Sequence, residues 1–223
     1  LKLFNTFHGL EVNRPLDQSV KMIGPIIRTS TQVQPLDKKI VKFLKLRKRI
    51  VYVSFGTIFY PPNSEFKKLL KGLLNLVEKG EIDGVIIANK YLLNNLSLLN
   101  IHSDLIEDTI DLLNHPAFLL VEYLNQKEIL SQQQIKLFVS HGGLMSLFES
   151  IHYSKPMLLL PLSVDQPRNA RKAVEMGIGI YMDPFNSELN EYSSNIMAII
   201  NDKDNTFNLS LKRANLLSKQ NEN

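Results

Sequence analysis

Two apolar periods alternate along the chain. Ile50–Phe55, Gly84–Ala88, Ala117–Val121, Lys136–Ser140, Met157–Leu160 and Gly179–Met182 are short, nearly continuous runs rich in Val, Ile and Leu. Such runs predict strands buried on both faces. Between them lie segments with helical spacing. Ile40, Phe43 and Leu44 mark one within Asp37–Leu46, and Phe66, Leu69, Leu70, Leu73, Leu74 and Val77 mark a second. The second follows the loop at Pro61-Pro62, with Ser64 as the expected N-cap and Gly80 as the stop. Residues 94–114 are less regular, with Leu98, Ile101, Leu105 and Ile106 expected on one short helix. Asp165–Met176 predicts a further helix, and Asn190–Ile200 and Phe207–Leu217 predict two closing ones. Strands and helices alternating at this length predict an α/β fold, a parallel sheet with helices on both faces.

The densest chemistry lies within Tyr123–Asn169. The strand ending at Ser140 breaks at His141-Gly142-Gly143, and Leu144, Leu147, Phe148 and Ile151 take up helical spacing at once. A strand that ends in glycines and opens a helix is suited to anions. The glycines let a ligand approach the backbone, and the first free amides of the helix point at it. His141 at the mouth is placed to donate to a phosphate oxygen; without the glycines, a lone histidine there reads more often as structural. Glu149, eight residues on and taken on the same helix, is offset by about 80°. A second strand–turn–helix puts Asp165-Gln166, followed by Arg168 and Asn169, past the end of Met157–Leu160. Open α/β sheets bind ligands at such strand ends. Asp165 also reads as the N-cap of its helix.

Composition narrows the picture. The chain has 223 residues, 44% hydrophobic and 22% charged, enough for one large domain or two small ones of ordinary globular type. The net charge of +4 reads mainly as solvated surface; it helps a diphosphate slightly and does not argue for nucleic acid. Arg47-Lys48-Arg49 reads as a solvated lead-in to a strand, with phosphate or membrane contact as the lesser alternative. The absence of cysteine removes disulfides and thiolate metal sites. No run reaches the ~18–20 apolar residues of a membrane span. The chain opens on Leu1 and reads as a piece of a longer protein. Asn95-Leu96-Ser97 and Asn208-Leu209-Ser210 are sequons of a kind that arises often by chance.

The order of Tyr123-Leu124-Asn125-Gln126, Ile129-Leu130, Phe138–Gly143, Ser146, Glu149, Lys155-Pro156, Leu160-Pro161, Asp165-Gln166 and Asn169-Ala170 resembles the signature of the UDP-glycosyltransferases. Val51–Thr57 resembles that family's first strand and phosphate-binding turn in the same domain. The resemblance implies the C-terminal, donor-binding half of a GT-B glycosyltransferase, a Rossmann-like sheet. Residues 1–34, with Met22-Ile23-Gly24-Pro25, would be the end of the acceptor domain and a linker. Residues 35–223 would be the UDP-sugar domain. The implied nucleotide-sugar-binding residues are Thr57, Tyr123, Leu124, Gln126, His141, Gly142, Gly143, Ser146, Glu149, Asp165 and Gln166. Tyr123 stands where the family has a tryptophan stacked on uracil, and Asn125 replaces its usual proline. Gln126 lies near base and ribose, Glu149 accepts the ribose hydroxyls, and His141, Ser146 and Thr57 meet the phosphates. Asp165-Gln166 holds the sugar hydroxyls. Taken alone, each has a bland reading: a core-capping aromatic at Tyr123, a helix-surface carboxylate at Glu149, a turn former at Thr57.

The resemblance further implies an inverting hexosyltransferase acting on a small lipophilic acceptor such as a sterol, phenol or xenobiotic. No cofactor and no metal are implied beyond the UDP-sugar itself, and no nucleic-acid partner. The family's general base, a histidine, belongs to the acceptor domain. His8, His102, His115 and His152 lack any motif context, so this chain alone is expected to bind donor without efficient transfer. The parent would be membrane-anchored, at the endoplasmic reticulum or another membrane, with the cytoplasm as the alternative. Rival readings are a natural donor-binding subunit of a split enzyme, a non-catalytic nucleotide-binding module, and an adenine-dinucleotide domain. The last lacks a Gly-x-Gly-x-x-Gly turn after its first long strand.

Overall fold

A computed structural model describes residues 1–7, 10, 15, 17–27, 36–56, 61–90 and 104–219, with backbone alone for 104–108. Six of the predicted strands are present: β3 (Ile50–Ser54), β4 (Gly84–Ala88), β5 (Phe118–Val121), β6 (Ile135–Ser140), β7 (Met157–Leu159) and β8 (Gly179–Tyr181). They form one sheet in the order β5-β4-β3-β6-β7-β8, every pair parallel. The chain enters at central β3, winds outward to β5, crosses back to β6 beside β3, and winds outward the other way to β8. That reversal opens a crevice above the carboxyl ends of β3 and β6, where Ser54 pairs with Ser140. Two further short strands, β1 (Lys2–Phe4) and β2 (Val20–Met22), pair in parallel apart from the main sheet.

Period-two alternation sends side chains to opposite faces. Ile50, Tyr52, Ile86, Leu119, Phe138 and Leu159 pack under α1 (Lys38–Lys45), α4 (Gln126–Leu130), α5 (Leu144–His152), α6 (Gln166–Glu175) and α8 (Thr206–Lys219). Val51, Val53, Val85, Ile87, Leu137, Val139 and Leu158 pack under α2 (Asn63–Glu78), α3 (Asp104–Asn114) and α7 (Leu189–Asn201). Helices thus cover both faces, which explains the unbroken apolar runs. Phe7 and Leu10, from the segment expected to be a linker, are buried in the first of these cores beside Phe148.

Some boundaries differ from the sequence reading. Helix α2 begins at Asn63, with Pro62 and not Ser64 in the N-cap position, because the fixed φ of proline suits the entry and leaves Ser64 inside the first turn. Asp37 does cap α1, accepting from the Lys39 amide at 2.7 Å. Leu98 and Ile101 lie outside the described residues. Across one face, buried Glu65 in the first turn of α2 accepts from Tyr192 Oη at 3.2 Å and from Lys68 Nζ at 2.7 Å. Lys68 also donates to the Ser187 carbonyl at 3.0 Å, which fixes the loop before α7 at the same sheet edge as the crevice.

Candidate functional site

The crevice is built around the His141 ring. Gly56, just past β3, has φ +77°, and a Cβ there would stand 3.1 Å from His141 Cε1. On the other side, a Cβ at Gly143 would stand 2.6 Å from His141 Nε2. Glycine at both positions therefore makes a slot one imidazole wide. Gly142 between them has φ +81°, a conformation that side chains resist, and turns the chain from β6 into α5. Burial lowers the His141 pKa, opposed by the Asp165 carboxylate and by the Ser54 carbonyl. Nδ1 is buried and makes no hydrogen bond, so the Ser54 carbonyl acts through its field and not through a well-formed bond. A neutral, unpartnered imidazole in this position is a donor in waiting. Beside it, α5 opens at Gly143 with no side-chain cap, leaving the amides of its first turn for water or an anion.

Helix α5 starts at Leu144, so His141 precedes it and the 80° offset to Glu149 does not apply. The turn at Gly142 re-aims the chain between them. Glu149 and Ser146, one helical turn apart, are joined through Gln126: its Nε2 donates to Glu149 Oε2 at 2.7 Å and to Ser146 Oγ at 3.1 Å. Burial raises the Glu149 pKa, against the Gln126 hydrogen bond and the charge of Lys127. Just upstream, Tyr123 is 76% exposed while Leu124 is buried in the core. The tyrosine is a free aromatic face at the rim, and Leu124 has only its backbone to offer a ligand.

The loop after β7 forms the third wall. Asp165 occupies the N-cap position of α6, but its side chain caps no amide. Instead Asn169 Nδ2 donates to Asp165 Oδ2 at 2.7 Å and to the Gly142 carbonyl at 3.1 Å, tying this loop to the glycine turn. The capping reading of Asp165 is therefore replaced by a clamp across two loops. Gln166 is 4% exposed, and its Oε1 accepts from the Leu162 and Ser163 amides at 2.8 and 3.1 Å. The side-chain carbonyl is spent on the loop, and its amide is the part left for other partners. Between them Val164 sits at φ +57° and is 82% exposed. A β-branched residue in the left-handed region is strained.

Of the residues that sequence reasoning brought together, the structure joins Gln126, Ser146 and Glu149 in one hydrogen-bonded group and sets His141, Gly142, Gly143, Asp165 and Gln166 against one another in a second. Thr57 lies outside the described residues. Three structural roles were not read from the sequence. The Asn169 clamp and the strained Val164 carry no local signal, while Gly56 was legible as a turn but not as a wall of the His141 slot. His115 and His152 end helices at the opposite edge of the sheet, away from the crevice; His8 and His102 lie outside the described residues. The sequence does contain one Asp-x-Asp triplet, Asp202-Lys203-Asp204, the type of acidic pair that metal-dependent glycosyltransferases use. Asp202 is spent on the start of α8, accepting from the Phe207 and Asn208 amides, each at 3.0 Å. Among the described residues no His, Cys, Asp and Glu cluster is placed to hold a metal ion, and no helix is long and apolar enough to cross a membrane.

Comparison with known proteins agrees with this geometry. A family model described as UDP-glucoronosyl and UDP-glucosyl transferase matches residues 82–214, more than half of the chain. A UDP-glycosyltransferase of Talaromyces amestolkiae is 30% identical over 214 residues, covering 93% of this chain and 40% of that protein. UDP-glycosyltransferase stmC of Aspergillus ustus is 30% identical over 218 residues, again 93% of this chain and 40% of the relative. The chain thus spans about two fifths of the length of these relatives. A crystal structure of a UDP-glucose: anthocyanidin 3-O-glucosyltransferase in complex with UDP shares the fold, with TM-score 0.73 over 98% of this chain and 48% of that one at 21% identity. The sheet order, the crevice at its switch point and these matches together show that the chain belongs to the UDP-glycosyltransferase family and has the fold of one half of a GT-B glycosyltransferase.

Proposed function

We propose that the crevice binds a UDP-sugar, and that the longer protein transfers its hexosyl group, with inversion, to a small lipophilic acceptor. The observation that carries the reading is the glycine-walled His141 beside the uncapped start of α5. Donors from a neutral imidazole and from helix amides suit a diphosphate, which is the leaving group of the transfer. Around that centre the remaining residues have matching chemistry. Tyr123 offers a stacking face for uracil, and the Gln126–Ser146–Glu149 cluster offers acceptors and donors for the ribose. Asp165, with the amide of Gln166, offers partners for sugar hydroxyls; Gly142 and Gly143 allow backbone approach, Leu124 contributes backbone, and Thr57 belongs to the first loop. Domains divide near residue 34 in this reading, with the acceptor side and the general base outside residues 35–223, so that the chain alone binds donor and does not turn over.

Calorimetric titration with UDP, UDP-glucose, UDP-glucuronic acid and ADP tests this, on the chain itself and on His141→Ala and Glu149→Ala. The expected result is uridine-selective binding that each substitution weakens by about tenfold or more, the worth of one charge-assisted hydrogen bond. Preference for ADP overturns the uridine assignment, and indifference to all four nucleotides overturns donor binding by this chain.

A further inference from the structure

A second surface, on the outer side of the helix α1 that covers one face of the sheet, has a chemistry of its own. Residues 38–49 hold Lys38, Lys39, Lys42, Lys45, Arg47, Lys48 and Arg49 and no acidic residue. Of the chain's 26 basic and 22 acidic residues, the rest of the sequence therefore keeps 19 basic against 22 acidic and is net negative. All of the positive excess is concentrated in one helix and the turn behind it.

The helix arranges that charge. At about 100° per residue, Lys38, Lys42 and Lys45 fall within about 60° of one another. Ile40, Phe43 and Leu44, the buried residues of α1, occupy the opposite side. The lysine stripe therefore faces straight out. Lys38, Val41, Lys42, Lys45 and Leu46 line an open groove of about 430 Å³. Leu46 is 71% exposed at the end of the stripe. Among the described residues no carboxylate forms an ion pair with Lys38, Lys42 or Lys45. The nearby acids are engaged elsewhere: Asp37 caps Lys39, Asp83 accepts from the Lys48 and Arg49 amides, and Glu81 lies 3.9 Å from Arg49. Arg47 is also internal, donating to the Asp83 and Pro116 carbonyls with its guanidinium over the Phe43 ring.

We propose that α1 is a docking surface for a bilayer rich in anionic phospholipid headgroups. A row of lysines normal to a buried helix face meets a plane of phosphates side-on, and an exposed leucine beside them enters the headgroup boundary. A nucleic acid is the poorer partner: the stripe is lysine and not arginine, and it exposes no aromatic ring for bases, since Phe43 is buried. The inference is independent of what the crevice binds.

The test is flotation of the chain with phosphatidylcholine vesicles, with and without about one-third phosphatidylserine. The expected result is binding to the anionic vesicles alone, abolished by high salt. Lys38→Gln/Lys42→Gln/Lys45→Gln should cut partitioning on the order of a hundredfold, and Leu46→Gln severalfold. A control with the same loss of charge on other exposed lysines, Lys71→Gln/Lys79→Gln/Lys212→Gln, should keep most of it. UDP affinity, read in parallel, should be the same in all of these. Absence of vesicle binding, or equal losses in the stripe and control variants, would overturn the proposal. So would binding to polyuridylic acid in place of vesicles with loss in the stripe variant, which would make the groove a nucleic-acid site.

Discussion

The two edges of the sheet are not built alike. At the amino edge, several loops are stapled by side chains whose donors are used. Arg47 holds the Asp83 and Pro116 carbonyls at 2.8 and 2.6 Å, and Lys155 holds the Gln132 and Ile135 carbonyls at 2.9 and 3.0 Å. Asn215 reaches from α8 to the Ile151 and His152 carbonyls at 2.9 and 2.7 Å. At the carboxyl edge, Nδ1 of His141 is buried without a partner, Val164 is strained, and Gly56 and Gly142 have positive φ. Both edges have stapled loops and residues at positive φ, Ser154, Gly80 and Gly177 among them at the amino edge; what sets the carboxyl edge apart, among the described residues, is a buried polar side-chain atom without a partner. Unsatisfied groups and strain persist where the surrounding fold imposes them, and they concentrate at sites that take ligands.

The contrast predicts that the edges respond differently to damage. The largest effect is expected at the amino edge. Arg47→Ala leaves two carbonyls without their donor and uncovers Phe43, at a cost of about 3 kcal/mol in urea unfolding. UDP affinity of the folded variant should not change. A parallel loss of affinity would show that the edges are coupled and not separate.

Gly143→Ala is the converse. Its φ of −59° and ψ of 143° suit any residue, so unfolding should barely shift. The new Cβ takes the place of the His141 ring, and UDP affinity should fall about thirtyfold, about 2 kcal/mol. Unchanged affinity in this variant would remove the histidine from the proposed site.

Val164→Gly gives a smaller and more specific effect. Releasing the left-handed valine should stabilise the fold by about 1 kcal/mol. Because the loop carries Asp165, UDP-glucose affinity should drop severalfold while UDP affinity holds. Equal changes for both ligands would mean that the strain serves something other than the sugar.

Legibility from the sequence follows the same division. The strands and most helices were readable because both faces of the sheet are covered, so that β3, β4 and β6 are continuous apolar runs while α2 and α5 keep a 3.6 period. The crevice was readable because its parts are local: a strand, two glycines, a helix, then a carboxylate one turn further on. What escaped depends on distance in sequence. The clamp from Asn169 to the Gly142 carbonyl spans 27 residues, and no property of asparagine announces it. That the fold turns the Gln166 carbonyl onto its own loop, leaving the amide for a ligand, depends on the path of residues 162–166 and not on the residue type. Val164 ran against its own conformational preference, and a local reading follows preference. Ser64 lost the N-cap position to Pro62 because two adequate starts lay side by side.

The most direct test of the central claim is the titration of His141 by NMR of its ring signals, without and with saturating UDP-glucose. In the free chain, burial holds the His141 pKa below the ordinary histidine value, so the ring is neutral at pH 7. A diphosphate against the ring favours the charged form, so the His141 pKa should rise on binding, with proton uptake as pH falls through the ordinary histidine range. A His141 curve that stays unchanged at saturation would contradict the placement of the donor diphosphate at the glycine-walled crevice.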